Sequence, residues 1–462
     1  MSNEMWKTSR RTFLGLSAIA TTGSFLPKQL VARDQGFGDW PDHGHGIEQT
    51  RFNPQETTLG PGNVSRLRLR WMFEAGSGIT ATPAVVGNRV IFGSWDGRVY
   101  ALDRLSGKSI WTFEAGVRRY PPDRQLGIFT SPAVSGSGVY VAADRLIKLD
   151  IETGRLIWER TIGNPEKTFE YFWAPPLVYD GRVYAGVSDG SEITTRGRFV
   201  CVDAATGALS WNFFTVAANV AGGAVFAAPS LDWRTKTLYG ATGSPFKKLP
   251  GPLRYSCSLI ALDAITGRLR WADQVHPHDE RNLDLNCPPM LLTAVHRGKP
   301  LKLIVVGGKD GIRAWNRVTR ERLWRVQLTP ALSPNSTQSL PTDGPETGPT
   351  AAADALIFFA SNNHSDSSCV LAALDAATGE IRWVHSLPAF QFGPMSVATG
   401  VVFLGLTDGK LRAWRTTSGE LLWESPASQP IAAGPAIAGG MVFIGTGAGS
   451  YLAGNQLLAF GL

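Results

Sequence analysis

Eight tryptophans recur in one frame along this 462-residue chain: Trp71, Trp111, Trp158, Trp211, Trp271, Trp324, Trp383 and Trp423. Seven of them close a version of Ala-x-Asp-x-x-x-Gly-x-x-x-Trp. It is clearest in Ala101-Leu102-Asp103 with Gly107 and Trp111, and in Ala261-Leu262-Asp263 with Gly267 and Trp271. Asp150, Asp203 and Asp375 keep the frame, and Asn316 and Arg415 mark its eroded copies. The spacing of 40 to 60 residues is the blade period of a β-propeller. The pattern predicts an all-β ring of eight blades spanning almost the whole chain.

Each unit reads as four short strands. In the first copy, Ala84-Val85-Val86 and Val90-Ile91-Phe92 flank a Gly87-Asn88 turn, a hairpin signal. Asp103 to Gly107 makes the last tight turn, since Asp bonds backbone donors just ahead of it and Gly takes a positive φ cheaply. The following strand projects Trp111 sideways between blades. The eighth unit is split: Pro435–Phe460 supplies three strands without a closing Trp, and Asn63–Trp71 supplies a Trp-bearing strand without predecessors. Joining them closes the ring and hides two sheet edges.

Ser9-Arg10-Arg11-Thr12-Phe13-Leu14 leads into an apolar run from Leu16 to Leu26, with Ala32 a candidate cleavage point. This pattern resembles a twin-arginine export signal. Residues 1–32 are therefore expected to be a leader, 33–62 an N-terminal approach segment and 63–462 the propeller, in a periplasmic or otherwise exported protein. No later run is long and apolar enough to span a bilayer. The formal charge of +7 falls to +4 without Lys7, Arg10, Arg11, Lys28 and Glu4. So small a charge argues against nucleic acid as a partner, and Arg51, Arg66, Arg68 and Arg70 read as solvated strand faces. Four cysteines would enter an oxidising compartment: Cys257 and Cys287 are close enough in sequence to pair, and Cys201 reads as a buried small hydrophobe. No Cys-x-x-Cys-His occurs, so no c-type haem is attached.

Chemistry is expected on the long loops of a regular scaffold, here 186–198, 243–257, 276–287 and 328–348. The segment Val275-His276-Pro277-His278-Asp279-Glu280-Arg281-Asn282-Leu283-Asp284 holds two histidines and three carboxylates, a composition suited to metal binding or acid–base work. His43-Gly44-His45 reads as a structured N-terminal loop. No nucleophile triad, phosphate loop or dinucleotide fingerprint survives its context.

Thr50–Pro54, Gly60–Leu67 and the Asp…Gly…Trp repeats resemble the quinoprotein alcohol dehydrogenases, particularly their polyvinyl-alcohol-dehydrogenase branch, over about residues 40–462. The resemblance implies an eight-bladed propeller with pyrroloquinoline quinone (PQQ) on the axis above a calcium or lanthanide ion. In that chemistry the metal polarises the quinone carbonyl, an Asp takes the alcohol proton and hydride passes to the quinone. By residue-by-residue match, Glu192 is the metal-binding Glu, Lys309 the basic contact to the quinone oxygens, and Asp284 the extra carboxylate of lanthanide-using members.

Other positions depart from the family. Ser244 stands at the metal-binding Asn, Phe226 at the Trp beneath the quinone, and Asn282 at the catalytic Asp, with Arg281 replacing its Trp neighbour. Adjacent cysteines that would roof the quinone are absent. An amide cannot accept a proton at neutral pH, so Asp279 or Asp284 would have to serve as base. Two readings follow. One is PQQ-dependent oxidation of a small or polymeric alcohol, passing electrons to a separate acceptor such as a cytochrome c. The other is a propeller without catalysis that binds envelope proteins as an assembly scaffold.

Overall fold

The computed structural model describes residues 38–120, 124–163, 170–189, 196–218, 220–245, 253–277, 279, 281–329 and 350–462. The leader at 1–32, Glu192, His278, Glu280 and most of the 328–348 loop lie outside that set. Among the described residues, strands sort into eight antiparallel sheets built on four strands each. Blades 1 to 7 occupy residues 84–114, 133–160, 177–214, 230–274, 290–326, 351–387 and 396–424. Blade 8 combines residues 436–461 with Arg68–Glu74, which pairs with Gln456–Gly461 so that Leu69 opposes Phe460 and Trp71 opposes Ala459. The first strand of blade 8, Ala436–Ala438, neighbours the first strand of blade 1, Ala84–Val86, and the ring is closed. The expected architecture and its shared final sheet are both present.

Repeated local chemistry joins the blades. In blade 1 the Asp103 carboxylate accepts the Ser106 N–H and hydroxyl at 2.8 and 2.7 Å. Gly107 follows at φ 69°, and Trp71 of blade 8 lies flat against it. A Cβ on Gly107 would fall 2.7 Å from the indole, and the indole N–H donates to the Arg104 carbonyl at 3.0 Å. The same dock recurs for Trp111 on Gly154, Trp158 on Gly207, Trp211 on Gly267, Trp324 on Gly379 and Trp383 on Gly419. Each indole N–H reaches the carbonyl one residue past the start of the next blade's turn, at 2.8 to 3.2 Å. Apolar residues of adjacent sheets interdigitate above these docks, as Ile91, Val99 and Ala101 do with Val139, Ile147 and Leu149.

Two docks depart from the rule. At Trp271 the glycine position of the next blade is Arg320, held at φ 69° with its guanidinium 5.8 Å from the indole centroid. A cation–π contact replaces the close backbone approach. Trp423 meets blade 8, which lacks the Asp…Gly turn, and packs edge-on against Phe460 at 5.3 Å.

The approach segment threads the centre of the ring. Backbone N–H groups in the middle of successive first strands donate to it in order. Val85 donates to Trp40, Val134 to Pro41, Leu231 to Ile47, Leu291 to Glu48, Ala352 to Thr50 and Val397 to Arg51, all at 2.7 to 2.9 Å. The Asn53 side-chain amide donates to the Ile437 carbonyl of blade 8 at 2.9 Å. Residues 40–53 therefore bond blades 1, 2 and 4 to 8. Arg51 corrects the sequence reading: Arg66, Arg68 and Arg70 are exposed, but Arg51 is buried. Its guanidinium donates to the carbonyls of Met395, His43 and Pro435 and to the hydroxyls of Ser396 and Thr82. Burial pushes its pKa down to about 9, still charged at neutral pH.

The docks make a contrast that equilibrium denaturant melts can measure. Gly154→Ala, at φ 69° and 2.6 Å from the Trp111 ring, should cost about 1–3 kcal/mol. Arg320→Gly at the equivalent place should change stability by less than about 1 kcal/mol. It releases roughly 1–2 kcal/mol of left-handed strain and gives up a cation–π contact of similar size.

Candidate active site

Four chain segments meet at one end of blades 4 and 5. Strand Thr237–Ala241 runs out into Thr242-Gly243-Ser244, and Cys257 precedes strand Ser258–Asp263. The connection from Val275 to Pro289 joins the two blades. Lys309-Asp310 is the two-residue turn between strands Lys299–Gly308 and Gly311–Asn316. Backbone bonds lock these pieces together: Cys257 N–H to Gly243 carbonyl at 2.9 Å, Leu285 N–H to Thr242 at 3.3 Å, and Lys309 N–H to Asp284 at 3.0 Å.

The side chains that converge there are those singled out by sequence. The Lys309 ammonium lies 2.7 Å from Asp284 Oδ2, both residues being buried. The other Asp284 oxygen accepts the Ser244 N–H at 2.6 Å. Asn282, held at φ 58°, bridges the pair: with its amide oriented to suit its neighbours, Nδ2 donates to Asp284 Oδ2 at 3.0 Å and the amide oxygen accepts from Lys309 Nζ at 2.9 Å. Asp279 is used differently. Its Oδ2 accepts the Ser244 hydroxyl at 2.6 Å and the Leu283 N–H at 2.8 Å, and its Oδ1 accepts the Arg281 N–H at 3.1 Å. Asp279 thereby pins the loop that presents Asn282 and Asp284. Cys257 Sγ lies 3.5 Å from the Ser244 hydroxyl, and burial, then Asp284 and Asp279, push its thiol well up. Cys257 and Cys287 are free thiols, so the pairing that sequence proximity suggested does not form, and Cys201 is buried in its strand as expected.

The other residue of the Lys309 turn faces the opposite way. Asp310 is buried and accepts both Arg313 guanidinium nitrogens, with Arg325 donating to its carbonyl at 2.7 Å. His276 Nε2 sits 3.1 Å from Asp310 Oδ2 without hydrogen-bond alignment. His276 is therefore turned to Asp310 while Asp279 and Asp284 serve Ser244, and these described members of the run 275–284 do not gather as one metal set. Burial opposes ionisation of Asp310, but His276 and Arg313 outweigh it and hold the carboxyl well below its usual range.

Phe226 connects the cluster to the central channel. A Cβ on Gly243 would fall 2.7 Å from Asp284 Oδ1 and 3.1 Å from the Phe226 ring, so the missing side chain lets ring and carboxylate approach. Phe226 also lines a chamber of about 150 Å³ with Phe129, Trp173, Thr80, Ser131 and Asn286. Trp173 packs at a 40° tilt on Phe129, centroids 4.3 Å apart, and meets Phe226 edge-on at 6.4 Å. His43 closes the chamber from the approach segment, bonded to the Ser131 hydroxyl at 3.1 Å. Burial, then Arg51, keep it neutral. The sequence motifs do not single out Phe129 or Trp173, and they mark His43 only as part of a structured N-terminal loop. Only their bulk before blade-opening strands could have marked them, a weak signal in a chain so rich in aromatics.

The two groups implied by the family resemblance fare differently here. Aromatic side chains at Phe129, Trp173 and Phe226 suit contact with a planar quinone, the chamber has room for one ring of it, and Asp284, the partner of Lys309, approaches Phe226 across Gly243. The donor set does not suit a metal ion. Both Asp284 oxygens already serve Lys309 and Ser244, and the Ser244 hydroxyl is turned to Asp279. No three His, Cys, Asp or Glu side chains gather as ligands among the described residues. Glu192 lies outside them.

Residues 40–338 match the family model described as glucose/ethanol/alcohol dehydrogenase, beta-propeller domain, and residues 366–460 match one described as outer membrane protein assembly factor BamB. A polyvinylalcohol dehydrogenase of Pseudomonas sp is 26% identical over 92% of this chain and 75% of its own. A quinohemoprotein alcohol dehydrogenase of Comamonas testosteroni is 26% identical over 86% of this chain and 70% of its own. Among solved structures, the quinohemoprotein alcohol dehydrogenase ADHIIG of Pseudomonas putida HK5 superposes with a TM-score of 0.80 at 21% identity, over 92% of this chain and 80% of that one.

Two stability measurements follow. Lys309→Met leaves Asp284 charged and unpaired, and should cost about 3–5 kcal/mol in a urea melt. Adding Asp284→Asn should recover part of that loss. The contribution of Asp310 is fully present above the unfolded carboxylate pKa of about 3.9 and is lost as pH falls toward the lower folded value. Asp310→Asn should accordingly flatten the acid limb of the stability–pH curve.

Proposed function

We propose, for a chain that belongs to the glucose/ethanol/alcohol dehydrogenase β-propeller family through residues 40–338, that it oxidises an alcohol with PQQ as the electron acceptor. The observation that carries this reading is the Lys309–Asn282–Asp284 cluster against Phe226 at the channel. A carboxylate offers about four lone-pair directions. Ser244, Lys309 and Asn282 take three at Asp284, leaving one for a substrate hydroxyl. Asp279 is committed to the loop and is the poorer candidate.

The chain's own residues divide the work. Asp284 accepts the hydroxyl proton of the alcohol, the role for which Asn282 is chemically unfit. Lys309, 2.7 Å away, stabilises negative charge as it shifts from carboxylate to alkoxide. Asn282 holds the base and the ammonium in register. Phe226 and Trp173, set edge to face, would bound the planar cofactor as apolar walls, and Gly243 keeps the space between the Phe226 ring and the base open. PQQ, when bound, supplies the two-electron sink for the alcohol's C–H hydride. Reoxidation then falls to a separate acceptor, for which a cytochrome c is suited.

Export by the twin-arginine route is part of the proposal and rests on Ser9-Arg10-Arg11 and the apolar run after it. Among the described residues no helix is long and apolar enough to cross a membrane. The scaffold reading draws on the match at residues 366–460, but those residues are blade repeats and speak for the fold.

Purified protein supplied with PQQ and an artificial electron-accepting dye should oxidise alcohols. Asp284→Asn should lower kcat by about 10²–10⁴ with KM nearly unchanged, and Asn282→Asp should raise turnover by restoring a carboxylate beside Lys309. No turnover with any alcohol, in calcium, lanthanum or chelator alike, would remove the reading.

A further inference from the structure

We infer that Lys309 takes the place of a divalent or lanthanide ion in this active site, so that the quinone is held by a protein-borne cation. The inference rests on the PQQ reading above. Oxygen atoms converge on the Lys309 ammonium as ligands converge on a metal: Asp284 Oδ2 at 2.7 Å and the Asn282 amide oxygen at 2.9 Å. Among the described residues, each position with metal-ligand or base character takes part in this arrangement. Asp284 gives one oxygen to the ammonium and the other to the Ser244 N–H. Asn282 presents its oxygen to the ammonium and its N–H to Asp284. The Ser244 hydroxyl donates to Asp279 at 2.6 Å.

Geometry keeps the ammonium in place. Lys309 leaves a two-residue turn whose backbone N–H is bonded to Asp284 itself at 3.0 Å. The neighbouring Asp310 anchors the same turn from behind through Arg313 and Arg325. A metal ion entering beside Asp284 would have to displace a buried ammonium from that carboxylate, or sit within a few ångströms of it. Like charges so close in a buried site repel strongly. The fixed ammonium offers a quinone oxygen a single positive charge whose desolvation is met on folding rather than on cofactor binding.

Cation and quinone titrations test this directly. The purified protein, stripped with chelator, is titrated with terbium alone by sensitised luminescence, and with PQQ by tryptophan quenching in chelator, calcium or lanthanum. The expected result is no stoichiometric terbium site and a PQQ Kd that changes by no more than about threefold between conditions, since an ion that does not bind cannot couple to the quinone. Lys309→Ala should weaken PQQ binding at least about tenfold in chelator and recover with calcium or lanthanum, because Asp284 is then open to an added cation. Lys309→Arg, which keeps a fixed charge, should stay indifferent to metal. A stoichiometric terbium site in the wild-type protein, or PQQ binding that requires calcium or lanthanum, would overturn the inference while leaving the dehydrogenase reading intact. PQQ failing to bind under every condition would overturn both.

Discussion

The structure depends on an indole laid flat on a turn. At six of the eight joints a tryptophan ring needs a neighbour with no side chain, and the next blade supplies one four residues after the residue that leads its turn. That position demands a positive φ, which glycine adopts freely, so one residue choice satisfies both the turn and the dock. The indole N–H then finds a carbonyl that the same turn leaves exposed. Blade-to-blade angle is set at each joint by a hydrogen bond and a ring contact together, which is why insertions of very different length leave the ring undisturbed.

A second constraint comes from the axis. Residues 40–53 lay their carbonyls against the first strands of blade after blade, satisfying donors that would otherwise face the channel unpaired. Arg51 collects three carbonyls and two hydroxyls there, so its charge is solvated by protein rather than water. The site above this hub inherits its rigidity. His43 belongs to the hub and also lines the aromatic chamber, and the loops bearing Asp284 and Lys309 spring from strands that the hub fixes.

The ring was legible in the sequence because its signal is repeated and local: Asp103, Gly107 and Trp111 lie within nine residues, and six further units echo them. The site was legible only as membership. Asn282, Asp284, Ser244 and Lys309 could be named from their motifs, but the pairing of Lys309 with Asp284 spans two blades and no spacing rule predicts it. Arg51 was misread for the same reason. Its neighbours Arg66, Arg68 and Arg70 are indeed solvated, and only the path of the backbone through the channel sets Arg51 apart. The loop 275–284 looked like one chemical unit by composition, yet its φ of 58° at Asn282 and the pull of Asp310 on His276 send its members in different directions.

Sharing the last sheet between Arg68–Glu74 and Gln456–Gly461 has a consequence for biosynthesis. The strand made early can dock Trp71 on blade 1 soon after, but its edge has no strand partner until the ribosome has made Gln456–Gly461. The hub segment waits with it, since its carbonyls need blades not yet translated. Completion is thus a single late event in which hub, first strand and last strand seat together. Such a chain has reason to be assembled under chaperone cover, and to travel only once finished.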